Sequence, residues 1–458
     1  TPSRTATLAA AFTATPPSTA TLAAAFIAPG QMTTQLWISN TNANSVARVR
    51  FEIFDSQGAR VLNDTFRVGP NAARLVELPA SLGRNFVGNA RLVADQRIQA
   101  VVINENDKAS ATTAYQALTR VSTQLTLPLM RHLKVDTGNS LLAIQNVTAQ
   151  TANATLRVFD DAGIEIISQP LTIAPNGSAY VNSNDLFPTG AFVGSAQITS
   201  DQPLAAAQLA LYKKDTAALR AFMPSEASAS MLVPFVTRRV RASGVVAAWS
   251  ELYIRNQDSQ PTDVTIEFWS ASGELKGTVT RANVPAGGAA ALVTRDAETR
   301  FLGRRFTGWA RVTASSAPLA VEALNARGRG KQLSGVNAVA ETAAGARNMC
   351  GDLRVDATAR SALTLLNPHA TQAARVRLRV YDARNGAQVA DVTVRVNAAS
   401  ALTVTAPRGF YQFLQPNFRG TLRITADADG AREIVALMRT FALNAKSRAA
   451  SVSAYMCR

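Results

Sequence analysis

The sequence predicts an all-β chain made of four similar units in tandem. Three observations carry this: a fourfold internal repeat, apolar–polar alternation with period two, and the absence of long helical periodicity. The repeat has three markers in one order. An apolar run closed by Asn occurs at 36–40, 142–146, 252–256 and 363–367, with spacings of 106, 110 and 111 residues. A second run then ends in an aromatic residue and a turn, as in Phe54-Asp55-Ser56-Gln57-Gly58, Phe159-Asp160-Asp161-Ala162-Gly163, Trp269-Ser270-Ala271-Ser272-Gly273 and Tyr381-Asp382-Ala383-Arg384-Asn385-Gly386. Last comes Phe-x-Gly, ending at Gly88, Gly194, Gly308 and Gly420.

Within a unit, apolar side chains alternate with charged ones. Val376, Leu378 and Val380 alternate with Arg375, Arg377 and Arg379; Val49, Phe51 and Ile53 alternate with Arg48, Arg50 and Glu52. Successive side chains of a strand point to opposite faces, so each run is a half-buried strand. About seven such runs fit in a unit, parted by Asn, Asp, Gly and Pro turns, which is the rhythm of an immunoglobulin-like or fibronectin-like sandwich. The predicted chain is an N-terminal extension strand in an arm at 1–18, then four Ig-like seven-stranded β-sandwich domains at 19–122, 123–229, 230–345 and 346–458. None of the junctions is a long flexible linker, which predicts a semi-rigid rod of domains touching end to end.

Composition narrows the function classes. The 458 residues are 47% apolar and 17% charged, a globular mix. Two His and two Cys are too few for a His-ligated metal centre or a Cys-rich zinc module. No uninterrupted apolar run reaches the roughly 18–20 residues of a membrane span. The start at Thr1, with no basic-plus-apolar leader, is expected of a mature, processed protein. His132 and His369 belong to different units, and neither Gly-x-Ser-x-Gly nor His-Glu-x-x-His occurs, so no enzyme activity, cofactor or metal is expected.

The net charge is +16, and residues 346–458 carry 16 of the 47 basic side chains against 7 of the 31 acidic ones. Nucleic-acid binding calls for a compact basic patch interleaved with aromatics. Arg375, Arg377 and Arg379 instead form a ladder with no aromatic beside it, so no nucleic acid is expected. The hairpin loops before each unit's last strand carry Lys108, Lys213 and Lys214, Lys331 and Lys446, the third reading Arg327-Gly328-Arg329-Gly330-Lys331. The ladder and Arg327, Arg329 and Lys331 are candidate basic contacts for an anionic cell-surface polymer or glycan, or else a solvated Arg-rich face.

Residues 5–12 recur letter for letter at 19–26. The second copy aligns with the first strand of the first domain, which leaves the first copy without a place in its own sandwich. With Leu8, Ala10 and Phe12 on one face, and with Thr5 and Thr7, that copy is the candidate donor strand for a neighbouring subunit, by β-augmentation. Docking on its own chain and disorder are the alternatives. Cys350 lies in the opening strand of the fourth unit and Cys457 in its closing strand. Ig-like topology runs those strands side by side, so an intradomain disulfide is expected, with free thiols or intermolecular bridges as alternatives. A bridge places the chain in an oxidising, extracytoplasmic setting.

The segments Phe192-Val193-Gly194-Ser195-Ala196-Gln197-Ile198 and Phe86-Val87-Gly88-Asn89-Ala90-Arg91-Leu92 resemble Ig-like/fibronectin-like repeat modules of secreted bacterial surface proteins, those of stalks, S-layers and filaments. The resemblance implies an extracellular structural subunit. With the arm, the expected function is an extracellular filament or sheath, a homopolymer joined by strand donation. A monomeric adhesin or stalk binding glycan or protein through domain-end loops is the alternative.

Overall fold

The computed structural model describes residues 19–22 and 32–457, apart from 80–81, 83–85, 107–111, 119–120, 134–137, 188, 213–214, 329–331, 406–408, 428–430, 432 and 444–448. The candidate donor strand, and with it Thr5, Thr7, Leu8, Ala10 and Phe12, lies outside the described residues. So do Arg329, Lys331 and the other hairpin lysines named above. The chain is almost entirely antiparallel β, with strands grouped in large sheets. No helix among the described residues is long and apolar enough to cross a membrane.

The first unit sets the pattern with eight strands: β1 (Thr19–Leu22), β2 (Met32–Asn40), β3 (Ala47–Asp55), β4 (Arg60–Val68), β5 (Ala73–Glu77), β6 (Gly88–Ala94), β7 (Ile98–Asn106) and β8 (Thr112–Gln116). One sheet has the order β1-β6-β3-β4 and the other β5-β2-β7-β8. Val49, Phe51, Ile53 and Leu92 of the first meet Leu36, Ile38 and Val102 of the second in one buried core. Sheets with the same pairings recur at 122–220, 230–340 and 347–457.

This order departs from the seven-stranded Ig-like expectation. In an immunoglobulin sandwich the first strand shares a sheet with the second and fifth. Here β1 lies beside β6, and β7 takes the place beside β2. In the second unit the counterparts of β6 and β7 run together as one strand, Phe192–Tyr212, which passes from one sheet to the other.

The markers are explained by backbone chemistry. Asn40, Asn146, Asn256 and Asn367 are fully buried. Asn256 donates to the carbonyls of Gln260, Val284 and Pro285 at 2.8, 3.2 and 3.0 Å while its own oxygen accepts from Asp258 N–H. Each of these Asn pins the end of β2 to the following loop and, with Asn40 bonding Val68, to the end of β4. The Gly of Phe-x-Gly is required because a Cβ there would sit 1.9–2.3 Å from the carbonyl oxygen closing β3 or its counterpart.

The expected rod does not form; the units close into a ring. The turn after β3 in each unit docks on the turn before β5 of the next, through Ser178 N–H to Ser56 O at 3.0 Å and Ala289 N–H to Asp161 O at 3.1 Å. The circuit continues with Ala401 N–H to Ala271 O at 3.1 Å, and Ala73 N–H to Ala383 O at 3.0 Å joins unit four back to unit one. The turn glycines are tailored to this contact: Gly58, Gly163, Gly273 and Gly386 have φ between +71° and +91°. A Cβ on any of them would lie 1.9–2.7 Å from a carbonyl of the next unit. Short polar junctions therefore bend the array instead of extending it. The seams bury apolar surface, such as Trp37, Val101, Ile103 and Ala114 of unit one within the core cluster of unit four.

Candidate functional site

Ring closure creates an axis, and β8 and its counterpart in each other unit line it. The counterparts of β8 are Asp215–Arg220, Gln332–Asn337 and Ala449–Cys457. They pack in a closed circuit, first on second, second on third, third on fourth and fourth on first. Small residues permit this approach: Ala114, Ala218, Gly335 and Ala454 occupy one register position. A Cβ on Gly335 would meet Ala218 O at 2.8 Å.

The ends of these strands open into a vestibule of about 520 Å³ walled by all four units. Gln116, Arg220, Asn337 and Met456 are equivalent by register, and Gln116, Arg220 and Met456 line it. The junctions between units supply part of the wall, at 225–227 and 342–345. Segments that the sequence marks only as connections thus become the lining of a cavity.

The vestibule is electropositive. Its charged residues are Arg97, Arg220, Glu226 and Arg347. Arg220 is nearly buried and held to Glu226 at 2.6 Å. Arg97 and Arg347 are exposed, and neither has a carboxylate in ion-pair range among the described residues. Two cations therefore face the opening without local compensation.

Beneath Arg220 lies a buried carboxyl. Asn337 binds the Arg220 backbone in both directions, accepting from its N–H at 3.0 Å and donating to its carbonyl at 2.7 Å. The same Asn337 amide donates to Glu322 at 3.3 Å. Glu322 is fully buried, and burial holds its carboxyl well above the usual range, against the opposing pull of the Leu129 backbone, Arg220 and Asn337. Glu322 stands where the other units carry Val101, Ala207 and Leu437, so a carboxyl is particular to the third unit.

The basic residues singled out in the sequence lie elsewhere. Arg327 is exposed at the end of the β7 counterpart in unit three. Arg375, Arg377 and Arg379 share one strand face in unit four, as expected of a ladder, but acidic neighbours meet each of them. Arg377 binds Asp391 at 2.6 Å, Arg379 lies 3.7 Å from the same carboxylate, and Arg375 lies 3.8 Å from Asp427. The hydrogen bond and charge of Arg377 hold the Asp391 carboxyl below its usual range. His132 is buried, with Nδ1 3.1 Å from the Asn184 side-chain oxygen. The ring of His369 accepts from the backbone N–H groups of Thr371 and Gln372 and so caps a turn. Among the described residues no group of three or more His, Cys, Asp or Glu is placed to hold a metal ion.

Cys350 and Cys457 form a disulfide with Cα atoms 4.7 Å apart. It joins the first strand of unit four to the strand that completes the axial circuit, within reach of the vestibule wall at Cys457.

No protein-family model matches the chain, and no curated protein matches it in sequence. Among solved structures, Thermotoga maritima 1070 aligns at 13% identity and a TM-score of 0.19, covering 22% of this chain and 91% of that one. A Streptomyces avermitilis α-L-rhamnosidase complexed with L-rhamnose aligns at 9% identity and 0.12, covering 90% and 54%. Dimeric latent PorU from Porphyromonas gingivalis aligns at 8% and 0.10, covering 79% and 32%. At these scores none carries an argument about fold or function.

Proposed function

We propose that the chain is a non-catalytic binding module of the cell exterior, a closed β-ring whose axial vestibule receives an acidic polymer of the surface. The observation that carries this reading is the charge of a cavity built by all four units: three arginines against one glutamate, with two of the arginines uncompensated. A focused cationic opening raises the local concentration of anionic ligands and speeds their capture. The disulfide supports an oxidising compartment. Pairing of β2 with β5 and of β3 with β6 supports an inner frame like that of Ig-like surface modules, with the outer strands rearranged around it. The test is calorimetric titration with hexaglutamate at low salt. Binding that falls at least tenfold in the Arg97→Glu/Arg347→Glu double variant, and weakens with salt, is expected; equal binding by that variant refutes the reading.

A second reading, self-assembly by strand exchange, rests on the duplicated segment. Among the described residues β1 pairs with β6 through Thr19 to Leu22. Residues 5–8 repeat those four letter for letter and match the same slot. In this reading a neighbour's copy replaces β1 and links subunits into a filament. Deleting 1–18 should abolish polymers seen by electron microscopy and leave the ring folded; polymers that persist refute it.

A further inference from the structure

A second cavity, of about 390 Å³, lies on the seam between units two and three, away from the axis. One wall is the outer face of unit two, with Arg157, Phe159, Glu165 and Gln197; the other is the end of the β2 counterpart of unit three, with Arg255 and Gln257. Arg255 is 3% exposed, yet no carboxylate lies in ion-pair range of it among the described residues. Its guanidinium stacks 4.4 Å from the Phe159 ring centroid and donates to the Ser195 hydroxyl.

The fold does not require a cation at this position. The residue directly before the marker Asn is Ser39, Gln145 and Leu366 in the other units, all uncharged. A buried guanidinium with no anion is costly, and a ring face and one hydroxyl compensate it only in part. Of the other charges around the cavity, Arg157 pairs with Glu165 at 3.6 Å, and the Asp258 carboxylate accepts from Ser259 N–H at 2.6 Å and keeps its negative charge. The Gln257 side chain adds an independent sign. Its Nε2 is buried and makes no hydrogen bond, while its Oε1 accepts from Thr126 at 3.4 Å. Gln257, whose buried amide donor is unused, and the uncompensated Arg255 thus line one cavity.

We propose that this seam cavity binds a carboxylate-bearing sugar, with the carboxylate on Arg255 and hydroxyls on Gln257 and Gln197. One uncompensated positive charge calls for a monoanion. Glu165 and Asp258 at the cavity disfavour the second charge of a phosphate. The volume suits a monosaccharide, and amides and a hydroxyl are the groups that read sugar hydroxyls. The site shares no residue with the axial vestibule.

The full chain should be titrated with galacturonic acid, galactose, acetate and inorganic phosphate, with chemical shifts or heat as the readout. Galacturonate is expected to bind, and Arg255→Gln to weaken it at least tenfold. Gln is the residue that unit two carries at the equivalent Gln145, so this variant keeps a side chain the fold already accommodates. Gln257→Leu, which retains the cation, should weaken binding several-fold. No galacturonate binding, or unchanged binding by Arg255→Gln with thermal unfolding like the wild type, overturns the proposal. Acetate or phosphate binding as tightly as galacturonate overturns the sugar assignment.

Discussion

Replacing Gly386 by Ala tests whether the ring is closed. Gly386 has a φ of +71°, and a Cβ there would lie 2.1 Å from Pro70 O across the seam between units four and one. Two costs arise. The left-handed backbone costs a non-glycine residue about 1–2 kcal/mol. The clash obliges the seam to retreat by roughly 1 Å before an ordinary contact returns. That movement strains packing by about 1–3 kcal/mol and breaks the Ala73 N–H to Ala383 O bond, worth about 1 kcal/mol. Gly244 is the matched control: its φ is +79°, and nothing lies within 4 Å of its added Cβ. Gly386→Ala should therefore destabilise by about 3–6 kcal/mol and Gly244→Ala by only about 1–2 kcal/mol, the backbone cost alone. Urea denaturation gives both values, and hydrogen exchange at the Ala73 amide reports the seam itself. Equal losses in the two variants, with Ala73 exchange unchanged, would refute closure.

Further outcomes follow from other parts of the molecule. Reducing the disulfide, or Cys350→Ser with Cys457→Ser, should cost about 4–5 kcal/mol for a loop of 107 residues, read as a shift in the urea midpoint. Asn256→Ala should cost about 2–4 kcal/mol, because three carbonyls lose their donor, and a melting temperature within a degree of wild type would exclude that anchor role. Glu322 gives a pH signature. Its folded pKa is raised, so the folded state holds the proton more tightly than the unfolded one. Stability is full below the ordinary carboxyl value of 4.5 and declines as pH climbs through the folded value. Glu322→Gln should remove that decline in a series of melting temperatures against pH, and an identical slope in wild type and variant would assign the dependence to another group.

The markers Asn40, Asn146, Asn256 and Asn367 and the Phe-x-Gly steps were legible in the sequence because each performs a backbone task that only one residue type performs well. Alternation revealed strands for the same local reason, since burial on one face dictates it. Strand order was not legible. Alternation says which face is buried and nothing about which neighbour a strand takes, so β1 beside β6 could not be told from β1 beside β2. The ring was hidden too: Gly58, Gly163, Gly273 and Gly386 read as ordinary turn glycines until their carbonyl partners in the next unit are known. Arg97, Arg220 and Arg347 are more than 100 residues apart in the chain, and only closure gathers them. The acidic partners of the Arg375 ladder were hidden as well, as Asp391 and Asp427 join it from strands and loops that the local sequence does not include.

Polypeptide crosses three of the four seams, between 116 and 122, 220 and 230, and 340 and 347. Among the described residues the fourth is latched by side chains and hydrogen bonds, among them Arg354 to Glu105 at 3.0 Å and Arg423 to Asn71 at 2.7 Å. The ring is in this sense a split washer: parting the fourth seam demands no strained linker, so a force that prises the units apart finds its gap there. The vestibule straddles that gap, with Arg97 on one lip and Arg347 on the other. In the proposed function, an acidic chain lodged between them would neutralise one positive charge on each lip and so clasp the washer shut.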